Sequence, residues 1–146
     1  MAEQHTPRTF GDLEPSTFPG ERLGLPRRGS GSVARAGRRI AAYLIDLIIA
    51  VLAAFVLFGS IRTPEARFFP LMIFVVLQIV FIPTIGGSLG HRLLGMRVAS
   101  LDGTWVGAWR PVVRTALLVL LIPALVWDSD QRGFHDKVAG TVLLRA

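Results

Sequence analysis

Cysteine is absent from the 146-residue chain. Its absence excludes disulfides, thiol nucleophiles, zinc–thiolate centres and iron–sulfur clusters. Lysine is almost absent as well. Lys137 is the only one, so the formal charge of +6 is carried nearly entirely by arginine. Charge is scarcest where the chain is most apolar. Asp46 is the one charged side chain between Ile40 and Ser60, and none occurs between Phe68 and Ile85. Catalytic signatures are missing too. No nucleophile elbow, Walker loop or dinucleotide fingerprint occurs. His135-Asp136-Lys137 is too compact for a triad, because neighbours in sequence do not converge on one substrate. His91 and His135 lack metal-ligand spacing and read as solvated loop residues. The expectation is a protein that is not an enzyme and needs no metal and no cofactor.

What is present is apolar sequence, 51% of the chain, gathered into runs. Ile40–Ser60 and Phe68–Ile85 have the length of membrane helices, since about 20 residues at 1.5 Å each cross a 30 Å hydrocarbon core. The short polar link between them forces an antiparallel helical hairpin. A third run, 112–127, contains Arg114 and Pro123. It is either a complete tilted span or a helix broken at Pro123 that returns to its starting side. Residues 1–37, with Pro7, Pro15, Pro19 and Pro26, lack hydrophobic periodicity and read as a disordered, solvated tail. Phe10, Phe18 and Leu25 are scattered within it. The first apolar run starts too late and runs too long for a secretory signal.

The loop after the second run opens with Gly86, Gly87 and Gly90, which break the helix. "MRVASLDGTWV" reads as a small β-hairpin, with Val98 and Val106 either side of an Asp102-Gly103 turn. Such a ribbon needs support, and the membrane surface provides it, with Trp105 and Trp109 at headgroup level. The fold class is therefore an all-α membrane protein with a small cytoplasmic β-hairpin. Residues 38–146 form the membrane domain. Arginines cluster before the first run (Arg22, Arg27, Arg28, Arg35, Arg38, Arg39) and after the second (Arg92, Arg97, Arg110). Only Arg62 and Arg67 lie between, offset by Glu65. The positive-inside rule then places the amino terminus and the glycine loop in the cytoplasm. The excess of arginine over lysine fits a GC-rich bacterial genome, so the protein is expected to be multi-pass in an inner (plasma) membrane. Arginines that flank apolar runs argue for lipid and against nucleic acid as partner.

Buried polar residues pick out a candidate site. Asp46 lies roughly 9 Å into the first helix. Arg39 lies two turns earlier on nearly the same face. Arg114 enters the third run from the same side, so an Asp46–Arg114 ion pair between helices would offset the cost of each charge in lipid. Gln78 could join an ion or proton site at Asp46 or hydrogen-bond between helices. Thr84 and Ser88 are placed to repair carbonyls near Pro83.

Three segments, taken in order, resemble the RDD family of small bacterial membrane proteins. "RRIAAYLID" offers Arg38 or Arg39 with Asp46. "GGSLGHRLLGMRVASLDG" resembles the family's glycine-rich loop and basic stretch, with His91 where members usually carry lysine. "QRGFHDKVAGTVLL" supplies Asp136 as the second aspartate. The resemblance covers about Arg35–Leu144. It implies that Arg38 or Arg39, Asp46 and Asp136 act together, which needs a cytoplasmic tail and so favours a broken third segment. It also brings suggested transport of unknown ligands, including cation/proton exchange. The expected function is a structural or accessory membrane subunit without catalytic activity, docked in a larger complex. The alternative is a homo-oligomeric transporter using Asp46.

Overall fold

The computed structural model describes residues 16–59, 63–64, 66–101, 105–120 and 132–146. Helix α1 (Ala36–Phe58) and helix α2 (Phe69–Ile85) form the expected hairpin. Both are long and apolar enough to cross a membrane, counting for α2 the 3-10 turn Ala66–Phe68 that leads into it. Each ends on a glycine in the left-handed conformation, Gly59 and Gly86, whose N–H closes the last turn onto Phe55 and Ile82 carbonyls. Glycine adopts that conformation without steric penalty.

The hairpin seam explains the spacing of its residues. Helix α1 buries Arg39, Ala42, Asp46, Ala50 and Ala54, a stripe repeating every three or four positions. Its alanines let α2 approach closely, the device membrane helices use when no hydrophobic force drives them together. Helix α2 answers with Phe74, Gln78 and Ile82. Phe74 also meets Tyr43 edge to face at 5.5 Å. The outer faces remain apolar and exposed, including Ile48, Leu52, Val56, Met72 and Val76.

Beyond Gly86 the chain folds a cap over this end of the hairpin. Helix α3 (Leu89–Leu93) lies against α1. Strand β1 (Met96–Ser100) follows, then helix α4 (Trp109–Val119), helix α5 (Phe134–Val138) and strand β2 (Thr141–Arg145). Strand β1 pairs antiparallel with β2, Val98 opposite Leu143. This corrects the expected local hairpin across Asp102-Gly103, a turn that lies outside the described residues. Val106 instead packs into the core with Ala34, Ala42, Ile82, Met96, Val98 and Leu143. The long-range partner wins because β2 is apolar on both faces: Leu143 meets the helices, while Val142 and Leu144 pack against Val33.

The stretch before α1 is also revised. Gly31 and Ala34 donate to the carbonyls of Arg145 and Leu143, and Arg145 donates back to Ser32. This stretch therefore covers the second edge of β2. Leu23 and Leu25 pack on the Val33–Val142–Leu144 cluster. The proline-rich composition hid this because the anchoring is mainly backbone pairing, which leaves no side-chain periodicity. Residues 1–15 lie outside the described residues, as does the third run beyond Leu120.

Candidate functional site

Two buried carboxylates organise the end of the hairpin where the cap sits. Asp46 is held by three neutral donors, one from α2 and two from the start of α3. Gly90 N–H reaches Oδ1 at 2.7 Å. Gln78 Nε2 reaches Oδ2 at 3.0 Å, and the Ser88 hydroxyl bonds the same oxygen. Ser88 is also the N-cap of α3. It accepts from His91 N–H at 3.2 Å, and its own N–H donates to His91 Nδ1 at 3.1 Å. This reciprocal pair is a capping box with histidine in the usual Glu/Gln place. Because Nδ1 accepts a backbone N–H, the imidazole is neutral with its proton on Nε2. Burial is the first cause holding the His91 pKa well below its ordinary value, and the nearby Arg114 charge adds to it.

Asp136, at the first turn of α5, is completely buried. It receives Arg39 Nη1 on Oδ2 and Arg114 Nε on Oδ1, each at 2.7 Å. Burial alone would raise its pKa, but Arg114 and then Arg39 outweigh that and hold the carboxyl below the usual carboxylate range. Arg39 Nε further binds the Ala34 carbonyl at 2.8 Å. One carboxylate thereby joins α1, α4 and α5. His135 Nε2 lies 3.5 Å from Asp136 Oδ1, and the Thr141 hydroxyl faces the same oxygen at 3.5 Å. Arg132 Nη2 binds the Thr141 carbonyl at 3.1 Å.

The expected residues are thus divided between two centres. The Asp46–Arg114 pair does not form: Arg114 turns to Asp136, the anion that α5 brings to its level, and neutral donors fill Asp46. Of the two candidate arginines, Arg39 enters the network. Arg38 is exposed and donates to the Leu94 carbonyl at 3.1 Å. Gln78 does reach Asp46, while its Oε1 is buried without a partner. His91 and His135 are buried, not solvated, each at 6% exposure. Thr84 bonds back to the Val80 carbonyl in its own helix at 2.7 Å, not to the Ile79 carbonyl that Pro83 leaves without its helical donor. Ser88 does not repair it either; it serves α3 and Asp46. The roles of Gly90, Arg132 and Thr141 were missed altogether. A Ser-x-x-His run straight after Gly86-Gly87 is a helix-start signal that could have placed Ser88 and His91. Among the described residues, no group of three histidines or carboxylates is placed to hold a metal ion.

Two helices with lipid-compatible exteriors, fastened through buried charges at one end, define a membrane protein. The chain belongs to the RDD family, whose model matches residues 33–140. No curated protein and no solved structure matches it.

Proposed function

We propose that the chain is a non-catalytic structural subunit, multi-pass in the bacterial plasma membrane with its amino terminus in the cytoplasm, and built to dock in a larger membrane complex. The carrying observation is how the two carboxylates are used. Asp46 is filled by donors of its own chain, and Asp136 is neutralised by two arginines. Each ties the cap to the helices, and neither presents an open coordination position. The arginine-rich end of the hairpin supports the orientation. The return of Asp136 to the level of Arg39 supports a third segment that re-enters on its starting side. The test is gentle extraction from native membranes, with the co-purifying polypeptides identified. A defined multisubunit complex is expected. A lone homo-oligomer that exchanges cations for protons in vesicles, with exchange abolished in Asp46→Asn, would overturn the proposal.

A second reading, cation/proton exchange through Asp46, is favoured by one contact. The Ser88 hydroxyl that bonds Asp46 also lies 2.8 Å from His91 Nδ1. A hydroxyl between a carboxylate and an imidazole can pass a proton from one to the other. Under this reading Ser88→Ala abolishes exchange in vesicles while abundance stays near normal. Under the structural reading Ser88→Ala lowers stability and there is no exchange to lose.

A further inference from the structure

Helix α3 is held down by polar contacts more than by apolar burial. Of its five residues only Gly90 and His91 are buried, and Leu93 is 69% exposed. Gly86 before it and Gly95 after it both take positive φ, and a Cβ on either would meet nothing within 4 Å. Leu94 packs against the core and anchors the far end. A short segment is thus flanked by two glycine hinges. It is fastened to α1 where Gly90 packs on the Ala42 backbone, and by the bonds from Gly90 N–H and the Ser88 hydroxyl to Asp46. The capping box aims both donors. In it His91 Nδ1 accepts the Ser88 N–H at 3.1 Å and lies 2.8 Å from the Ser88 hydroxyl.

A proton on His91 breaks this arrangement. The protonated ring has two donors and no acceptor, so the Ser88 N–H is left facing another N–H. The surroundings also oppose the charge. Arg114 on α4, Arg39 on α1 and His135 on α5 repel it, and Asp136 on α5, which attracts it, is already shared by those two arginines. Asp46 on α1 meets the ring only through the Ser88 hydroxyl. Gln78 on α2 is uncharged, and Arg38, Arg92 and Arg97 around α3 and β1 are exposed. Docked, α3 therefore keeps its imidazole neutral. Swung into water, the same imidazole binds a proton at its ordinary pKa of about 6.5. Undocking and proton uptake are linked, so acid favours the undocked form. We propose that α3 is a proton-operated latch over Asp46: when His91 takes a proton, α3 leaves α1 about its glycine hinges and uncovers the carboxylate on the side where α1 begins. The latch stands whether the chain is a structural subunit or an exchanger.

The test is hydrogen exchange of the full-length protein in mild detergent between pH 7.5 and 5, each rate corrected for the intrinsic pH dependence of amide exchange. In wild type, protection of residues 88–94 should fall by up to about tenfold per pH unit below about 6.5, the slope of one linked proton. The interior of α1 and strand β2 should hold their protection, because the opening is local. His91→Gln keeps an acceptor for the Ser88 N–H and cannot titrate, so its profile over residues 88–94 should be flat. His135→Gln, which removes the other buried histidine, should keep the slope. A flat wild-type profile would overturn the latch. So would a slope that survives in His91→Gln, or protection lost from α1, α3 and β2 together, which marks global unfolding. If His91→Gln fails to fold, the wild-type contrast between α3 and β2 still decides.

Discussion

Gly90 shows how one residue sets the geometry of the Asp46 site. A Cβ built on it would sit 2.2 Å from the Ala42 carbonyl oxygen, a backbone atom that no rotamer change can move away. The same residue donates its N–H to Asp46. Gly90→Ala should therefore push α3 off α1 and stretch that bond, costing about 1–3 kcal/mol or more, as overpacking does. Gly37→Ala is the control: nothing lies within 4 Å of its Cβ, and a thermal melt should show little change. Asp136 and Asp46 should also respond differently. Asp136→Asn strands two buried arginines and should cost about 3–5 kcal/mol. Asp46→Asn, facing neutral donors, should cost about 1–3 kcal/mol. Adding Arg114→Gln should recover stability only with Asp136→Asn, which a double-mutant cycle would detect. His91 gives the pH dependence. Its folded pKa is depressed by burial, so below the unfolded value near 6.5 the unfolded chain takes up a proton that the folded chain refuses. Stability from neutral His91 is complete above that pH and falls by up to about 1.4 kcal/mol per unit as pH drops further. His91→Gln preserves a capping box without titrating. Its melts at pH 7.5 should match wild type, and the decline between pH 6.5 and 5 should shrink.

At the scale of elements, β2 carries more of the cap than its five residues suggest. It lies between β1 and residues 31–34, and both of its faces are covered. Leu143 is 1% exposed and touches the core over α1 and α2. Leu143→Ala should cost about 2–5 kcal/mol, the range for a buried leucine, and hydrogen exchange should rise across β1 and residues 31–34 together. The membrane helices were legible because length and unbroken apolarity are local properties of the chain. Strand pairing was not. "LDG" is a strong hairpin signal, and the rule that neighbours pair favoured it. The true partner, "TVLLR", shows no alternation because a strand buried on both faces has none to show. The site was legible in part for the same reason. A lone aspartate in an apolar run announces itself, as Asp46 does. Its partners depend on where the glycine loop folds back, which no spacing within α1 records. The Asp46–Arg114 pairing was reasoned from depth alone, and depth cannot distinguish two carboxylates reached by one arginine.

For the whole molecule, the two carboxylates make one topological argument. Asp136 bonds Arg39 near the start of α1 and Arg114 early in α4, so the carboxyl-terminal segment lies at the end of the hairpin where α1 begins. The pairing of β2 with β1 and with residues 31–34 repeats that constraint through the backbone. A third run crossing the bilayer completely would carry β2 to the opposite side and break every one of these contacts. The absence of cysteine allows a clean test. Single cysteines at the exposed positions Ser30 and Arg97, and at the half-buried Arg145, should all resist an impermeant thiol reagent in intact cells and react once the membrane is opened. Labelling of all three from outside would invert the orientation while keeping the fold. Labelling at Arg145 alone would contradict the fold, because residues 32 and 145 are bonded neighbours across one sheet edge. That the three positions behave alike follows from the pairing itself, whichever charges face the cytoplasm; that they are protected from outside follows from the orientation proposed above.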